Sequence, residues 1–202
     1  MLSIPESVAH SLTLRLAEHP RKRDWFFDFC QENADWQFER TAEGEILAMA
    51  PAGAESGYRE GSVHIQLDAW ARRNKSGVAF NNNVGFDLPN GATRAPDASW
   101  VKKSRLAELT PEQKQRFLPI VPDFLIEVRS PSDRLPTLMK KMEEYLANGL
   151  RLGWLIDPKE RTVRIYRPGK PVQCLKHPRS ISGSPELPGF KLKLAEIWNP
   201  GL

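Results

Sequence analysis

The residue hardest to reconcile with an ordinary core is Glu127, set in the run Phe124-Leu125-Ile126-Glu127-Val128. A carboxylate among buried apolar side chains is costly unless it is paired or binds a cation. Asp97, in Ala95-Pro96-Asp97-Ala98-Ser99-Trp100-Val101, opens a second strand-like segment directly after a turn. Neighbouring strands can bring two such acids together at a sheet edge, where a divalent cation relieves their repulsion. Mg²⁺ suits so sparse a donor set, because it takes one or two carboxylates and fills its other positions with water and phosphate oxygens. Mn²⁺ accepts the same oxygen donors. An ion-pair network, with Asp97 or Glu127 held by Arg129 or Arg94, accounts for the same acids without a metal, and spacing alone leaves both readings open.

A cation and a further acid can be added from helix geometry. The segment 136–148 carries an apolar stripe of Leu138, Met142, Tyr145 and Leu146 at helical spacing. At about 100° per residue, Lys140 points away from that stripe and Lys141 lies on its border, roughly 80° from its centre. Lys141 is therefore the lysine that can reach inward. Glu60 heads a second stripe, followed by Val63, Leu67 and Trp70. It is a candidate site acid, although an acid in a first helical turn is also favoured by the helix dipole alone.

The elements that must carry these residues follow from periodicity and turn signals. The segment 24–33 reads as a short amphipathic helix, and 35–41 with 45–50 as a hairpin around Glu43-Gly44. Helical periodicity over 57–74 ends before Gly77, taken as its stop signal. Three strand-like runs, 78–81, 84–88 and 93–101, are separated by Asn82-Asn83 and Asn90-Gly91. The stretch 102–119 reads as a surface excursion with a helical turn or two. Residues 124–128 and 152–156 have the apolar character of strands buried on both faces. Residues 162–167 and 172–176 read as outer strands. The order predicts an α/β (α+β) mixed sheet sandwiched by helices, in one domain over 34–202 with residues 1–33 as an extension packed on it.

Composition is consistent with one globular unit. The chain has 202 residues, a net charge of +4 and only two cysteines, Cys30 and Cys174, without metal-binding or redox spacing. These are expected to be inert thiols. No run approaches the roughly 18 apolar residues of a membrane span, and the N-terminus lacks the pattern of a secretory signal. A cytoplasmic location is the expectation. Basic clusters at Arg21-Lys22-Arg23, Arg72-Arg73 with Lys75, and Lys102-Lys103 with Arg105 permit a polyanionic partner without identifying one. There is no Gly-rich phosphate loop and no convincing serine-hydrolase histidine. His64 and His177 read as surface or partly buried, Trp25, Trp36, Trp70, Trp100 and Trp154 as core, Asp157 as a strand-ending turn acid, and Ser130 and Ser132 as loop-shaping.

Pro96-Asp97 followed by Glu127 in a buried strand resembles the bipartite motif of PD-(D/E)XK nucleases. The segments 85–91, 95–101, 124–132, Lys141-Met142-Glu143-Glu144-Tyr145 and 153–158 together resemble the Uma-two family, described as a restriction endonuclease domain, from about Ala34 to the C-terminus. The resemblance implies a restriction-endonuclease-like core of helix, three strands, helix and strand, with an added N-terminal helix and hairpin and added C-terminal strands. It also implies metal-assisted phosphodiester hydrolysis of nucleic acid, DNA ahead of RNA. Where Glu-X-Lys is the pattern, this chain has Glu127-Val128-Arg129, and arginine is no equivalent of lysine. The family implies a lysine migrated to the following helix, which falls on Lys141. Asp97, Glu127 and the backbone carbonyl of Val128 would then hold Mg²⁺ or Mn²⁺, with Lys141 orienting the attacking water and Glu60 supporting the metal's water or a second ion. Arg129, Lys102 and Lys103 would contact the phosphate backbone. A homodimer would supply two sites for cutting two strands. The competing expectations are a catalytically inactive nucleic-acid-binding or interaction protein on the same fold, and a purely structural oligomerisation module.

Overall fold

The computed structural model of the chain describes residues 11–14 and 25–202, so the cluster Arg21-Lys22-Arg23 lies outside the described residues. Strand β1 (Ser11–Leu14), helix α1 (Trp25–Glu32), β2 (Gln37–Arg40) and β3 (Ile46–Met49) precede the long helix α2 (Ala54–Asn74). Then come β4 (Gly77–Asn81), β5 (Phe86–Asp87), β6 (Thr93–Arg94), β7 (Ala98–Lys102) and two short helices, α3 (Lys103–Ala107) and α4 (Pro111–Lys114). β8 (Phe124–Val128), α5 (Leu135–Ala147) and β9 (Leu152–Asp157) are followed by β10 (Thr162–Tyr166) and β11 (Gln173–Lys176). A hairpin of β12 (Ser180–Ser182) and β13 (Lys191–Lys193) and a helical turn, α6 (Ala195–Trp198), complete the order.

Six strands form the principal sheet, ordered β11-β10-β9-β8-β7-β4. Only β8 and β9 pair in parallel, and α5 is the crossover that such a pair requires. The run α2, β4, β7, β8, α5, β9 is thus helix, three strands, helix, strand, the mixed α/β core that was expected. A second sheet, ordered β1-β3-β2-β6-β5, contains the hairpin of β2 and β3.

Two departures from the expected boundaries bear on the site. The single strand expected over 93–101 is divided: β6 pairs with β2 in the second sheet, and β7 pairs with β4 and β8 in the first. Pro96 lies in the break, and a proline has no N–H to give to a ladder. The chain crosses between sheets there, and Asp97 stands at the crossing. Helix α2 starts at Ala54 and ends at Asn74, with Lys75 in the left-handed region at φ 62°. Gly77 is therefore not its stop signal. It belongs to β4, where a Cβ would fall 2.3 Å from the Trp100 ring.

Side-chain alternation gives the principal sheet two packed faces. Phe124, Ile126, Trp154 and Ile156 join Val63, Leu67 and Trp70 of α2 on one face. Leu125 and Leu155 join Met142 and Tyr145 of α5 on the other. By the same period of two, Glu127 falls on the α5 face. Helix α5 buries Met142 and Tyr145 fully and leaves Lys140 exposed. It stops where Gly149, at φ 107°, lets the N–H groups of Gly149 and Leu150 reach the carbonyls of Leu146 and Tyr145, each at 3.0 Å.

Helix α1 packs on the rest through Phe27 against Phe117 and Phe29 against Phe38, with ring centroids 5.0 and 5.1 Å apart. Trp70, Trp100 and Trp154 are core residues, and Trp25 is half-buried. Trp36 is 54% exposed, contrary to expectation, because it lies in the bend that precedes β2 rather than in the strand itself. Burial pushes the Cys30 thiol up to about 12, consistent with an inert group. Among the described residues, no helix is long and apolar enough to cross a membrane.

Candidate metal centre

The break at Pro96 and the buried strand β8 bring the two predicted acids together. β7 and β8 are antiparallel with Ala98 opposite Ile126, and one step further along that register Asp97 stands opposite Glu127. Oδ2 of Asp97 accepts the backbone N–H of Val128 at 2.6 Å. The N–H and carbonyl of one strand residue point to the same side, so the Val128 carbonyl also faces β7.

Glu127 is 4% exposed. Its Oε1 accepts the Tyr145 hydroxyl at 3.1 Å and lies 2.9 Å from Nζ of Lys141. Helical phase had placed Lys141 on the border of the apolar stripe, and it does reach inward. Its ammonium also lies 2.8 Å from Oε1 of Glu39 on β2. Glu39 accepts from the Ala95 N–H at 2.9 Å and from Nη1 of Arg94 at 3.1 Å, and Nε of Arg94 donates to Glu144 at 2.7 Å. Glu60 is the seventh residue of α2 and so lies beyond its first turn, contrary to expectation, and it accepts Nδ2 of Asn82 at 3.1 Å.

The electrostatics follow from this crowding. Burial pushes the Asp97 carboxyl well above its ordinary range, and the charges of Glu127 and Glu60 push it further. Burial also raises Glu60, with Glu127 and Asp133 adding to it. Glu127 is raised as well: burial and Glu39 outweigh the attraction of Lys141. Burial would raise Glu39 too, but Lys141 and Arg94 override it and hold this carboxyl below its ordinary value. Lys141 goes up despite burial, because Glu127 and Glu39 favour its charged form. It is therefore a permanent ammonium near neutral pH.

Both arginines of the ion-pair alternative are engaged elsewhere. Arg129 donates from Nη1 to Asp157 at 2.9 Å and from Nε to the Asp133 carbonyl at 3.2 Å. Arg94 is taken by Glu39 and Glu144. Neither neutralises Asp97 or Glu127. Lys102 and Lys103 lie at the opposite end of β7 from Asp97, about 17 Å away at the rise of an extended strand, and Lys103 is exposed. Ser130 and Ser132 share a 2.8 Å hydrogen bond, while the Ser130 N–H donates to Asp133, as befits loop-shaping residues.

Sequence reasoning overlooked Glu39 and treated Tyr145 only as an apolar residue. Gln37-Phe38-Glu39-Arg40 alternates like a half-exposed strand, and nothing local distinguishes Glu39 from a solvated acid. Among the described residues no three His, Cys, Asp or Glu side chains converge as a complete metal cage. Two facing carboxylates whose proton affinities are both raised, by burial first and then by neighbouring acids, plus a carbonyl on the same side, instead fit an ion such as Mg²⁺ that keeps several waters.

A mixed sheet flanked by helices, with paired acids where β7 and β8 meet, defines a restriction-endonuclease-like protein. The family model described as "Uma2: Putative restriction endonuclease" matches residues 23–195, and the chain belongs to that family. Among solved structures, the chain is similar to a "putative nuclease belonging to DUF820" from Anabaena variabilis ATCC 29413, at 22% identity and a TM-score of 0.68. That similarity covers 80% of this chain and 89% of the other, and it establishes the shared fold. No curated protein sequence matches the chain.

Proposed function

We propose that the chain is a nuclease that hydrolyses phosphodiester bonds in nucleic acid, DNA ahead of RNA, using Mg²⁺ or Mn²⁺ held by Asp97, Glu127 and the Val128 carbonyl. The observation that carries this reading is the pairing of half-buried Asp97 with buried Glu127, where burial and then the charge of Glu127 raise the proton affinity of Asp97, and where Arg94 and Arg129 are both engaged elsewhere. The names of the family and of the Anabaena protein point to the same substrate class.

When bound, the ion supplies a Lewis acid for the phosphate oxygens. Lys141, fixed as an ammonium, donates hydrogen bonds to the attacking water or to a phosphate oxygen, and stabilises the charge that builds there. It does not serve as a base. Glu60 has a raised proton affinity and, among the described residues, only Asn82 on its carboxylate, which suits it to hold a proton at that water. Lys102 and Lys103 contact the backbone about five nucleotides from the scissile bond, since phosphates recur every ~3.4 Å along one strand. Arg129 contributes a phosphate contact only by leaving Asp157. A homodimer would present one such centre to each strand of a duplex.

One observation favours a second reading, a nucleic-acid-binding protein without catalysis: the Lys141 ammonium already neutralises Glu127 at 2.9 Å. Calorimetric titration with Mg²⁺ and Mn²⁺, alone and with a DNA fragment, separates the two. Binding that disappears in Asp97→Ala and Glu127→Ala but persists in Lys141→Ala, together with DNA cleavage by the wild type, is expected. Salt-dependent DNA binding without metal uptake would establish the second reading instead.

A further inference from the structure

We propose that Glu39 is a positioning residue for the metal centre: it retains the Lys141 ammonium so that Glu127 is released to a divalent ion. The inference rests on the metal-dependent reading above and adds a residue from a different sheet to it. Nζ of Lys141 lies between two carboxylates, 2.8 Å from Glu39 and 2.9 Å from Glu127.

The two acids are held very differently. Glu39 is fixed through both oxygens, by the Ala95 N–H and Lys141 on Oε1 and by Arg94 on Oε2. Arg94 is fixed in turn by Glu144, one helical turn beyond Lys141 on α5. Glu127 has Tyr145 and Lys141, and both fall on its Oε1. A buried lysine with Glu127 as its sole partner would be an internal counter-ion, competing with any metal for that carboxylate. A second, anchored carboxylate removes this competition, since the ammonium keeps a full partner when Glu127 turns to the metal. The same contact holds Lys141 beside the centre, where its charge serves the phosphate.

The test is calorimetric titration with Mn²⁺ on the full chain, as wild type, Glu39→Gln, Lys141→Met and the double variant, with circular dichroism melts as folding controls. Glu39→Gln is expected to weaken Mn²⁺ binding roughly 10- to 100-fold, the range for residues that support metal ligands. Adding Lys141→Met to it is expected to restore the affinity, because the competitor is gone. Lys141→Met alone is expected to leave the affinity at or above that of the wild type, since no ammonium then competes for Glu127. A support role for Glu39 in the fold alone predicts no rescue by Lys141→Met, so weak binding in the double variant overturns the proposal. Unchanged binding in Glu39→Gln overturns it equally. Glu39→Asp keeps the charge and draws the carboxylate back by one methylene, and the same rescue at smaller amplitude is expected there if Glu39→Gln does not fold. Absence of Mn²⁺ binding by the wild type, with and without DNA, overturns the metal reading itself and this inference with it, a result distinct from the others.

Discussion

The guanidinium of Arg129 lies against the carboxylate of Asp157, with Nη1 2.9 Å from Oδ2, and so is directed along the sheet toward β9. Asp157 is fully buried at the end of that strand, where its other oxygen accepts the N–H groups of Lys159 and Glu160. Arg129 thereby ties the loop after β8 to the turn after β9. Its place is one residue beyond Val128, yet its role is to brace the strand ends around the site.

Removing that partner leaves a buried carboxylate uncompensated. Arg129→Met is expected to destabilise the fold by about 3 kcal/mol, the lower range for a broken buried pair. Urea denaturation followed by tryptophan fluorescence measures this as a lower midpoint at unchanged slope. Mn²⁺ affinity should be retained, and its loss would mean that Arg129 acts on the acids directly.

The raised carboxyls set a pH dependence with a definite sign. Asp97, Glu127 and Glu60 all hold protons more tightly folded than unfolded. Their stabilising contribution is present below the ordinary carboxylate range and is lost as pH rises through their folded values. Each contributes a slope of up to about 1.4 kcal/mol per pH unit in that window. Glu39 runs the other way, losing its contribution as pH falls through its depressed folded value. Metal-free protein should therefore lose stability as pH rises above the ordinary carboxylate range, and Asp97→Asn should flatten the curve. Mg²⁺ should stabilise the wild type by about 2.7 kcal/mol at 100 times its Kd, and Asp97→Asn by nothing. Melts across pH with and without Mg²⁺ check both statements.

Tyr145→Phe removes one donor from Glu127 and leaves the ring in its fully buried place. A hydrogen bond to a charged acceptor contributes about 2 kcal/mol, and a loss of that size is expected in chemical denaturation. A cost below half of it would mean that Glu127 is protonated in the metal-free state or finds another donor.

Lys102→Ala and Lys103→Ala act far from the acids. Each is expected to leave Mn²⁺ affinity unchanged and to reduce the salt slope of nucleic-acid binding by about 0.9, one released counterion per contact. Fluorescence anisotropy over a series of salt concentrations measures the slope. An unaltered slope in both variants would remove this end of β7 from the nucleic-acid path.

Local sequence determined those features whose signal is periodic or energetically anomalous within a few residues. The buried strands β8 and β9 were legible because apolar runs without alternation fit only a sheet covered on both faces. Glu127 stood out because charge in such a run demands a partner. Lys141 was separable from Lys140 because helical phase is fixed by chain geometry. The tertiary structure decided what depends on residues distant in the chain. Only the docking of β2 beside α5 makes Glu39 a buried carboxylate rather than a solvated one. Only the passage of the chain between two sheets at Pro96 divides the segment 93–101 and stands Asp97 opposite Glu127. Arg94 and Arg129 carried the same charge and were equal candidates for the acids. Their true partners, Glu39 with Glu144 and Asp157, were chosen by packing, because a salt bridge depends on where side chains are brought to rest and not on their spacing along the chain.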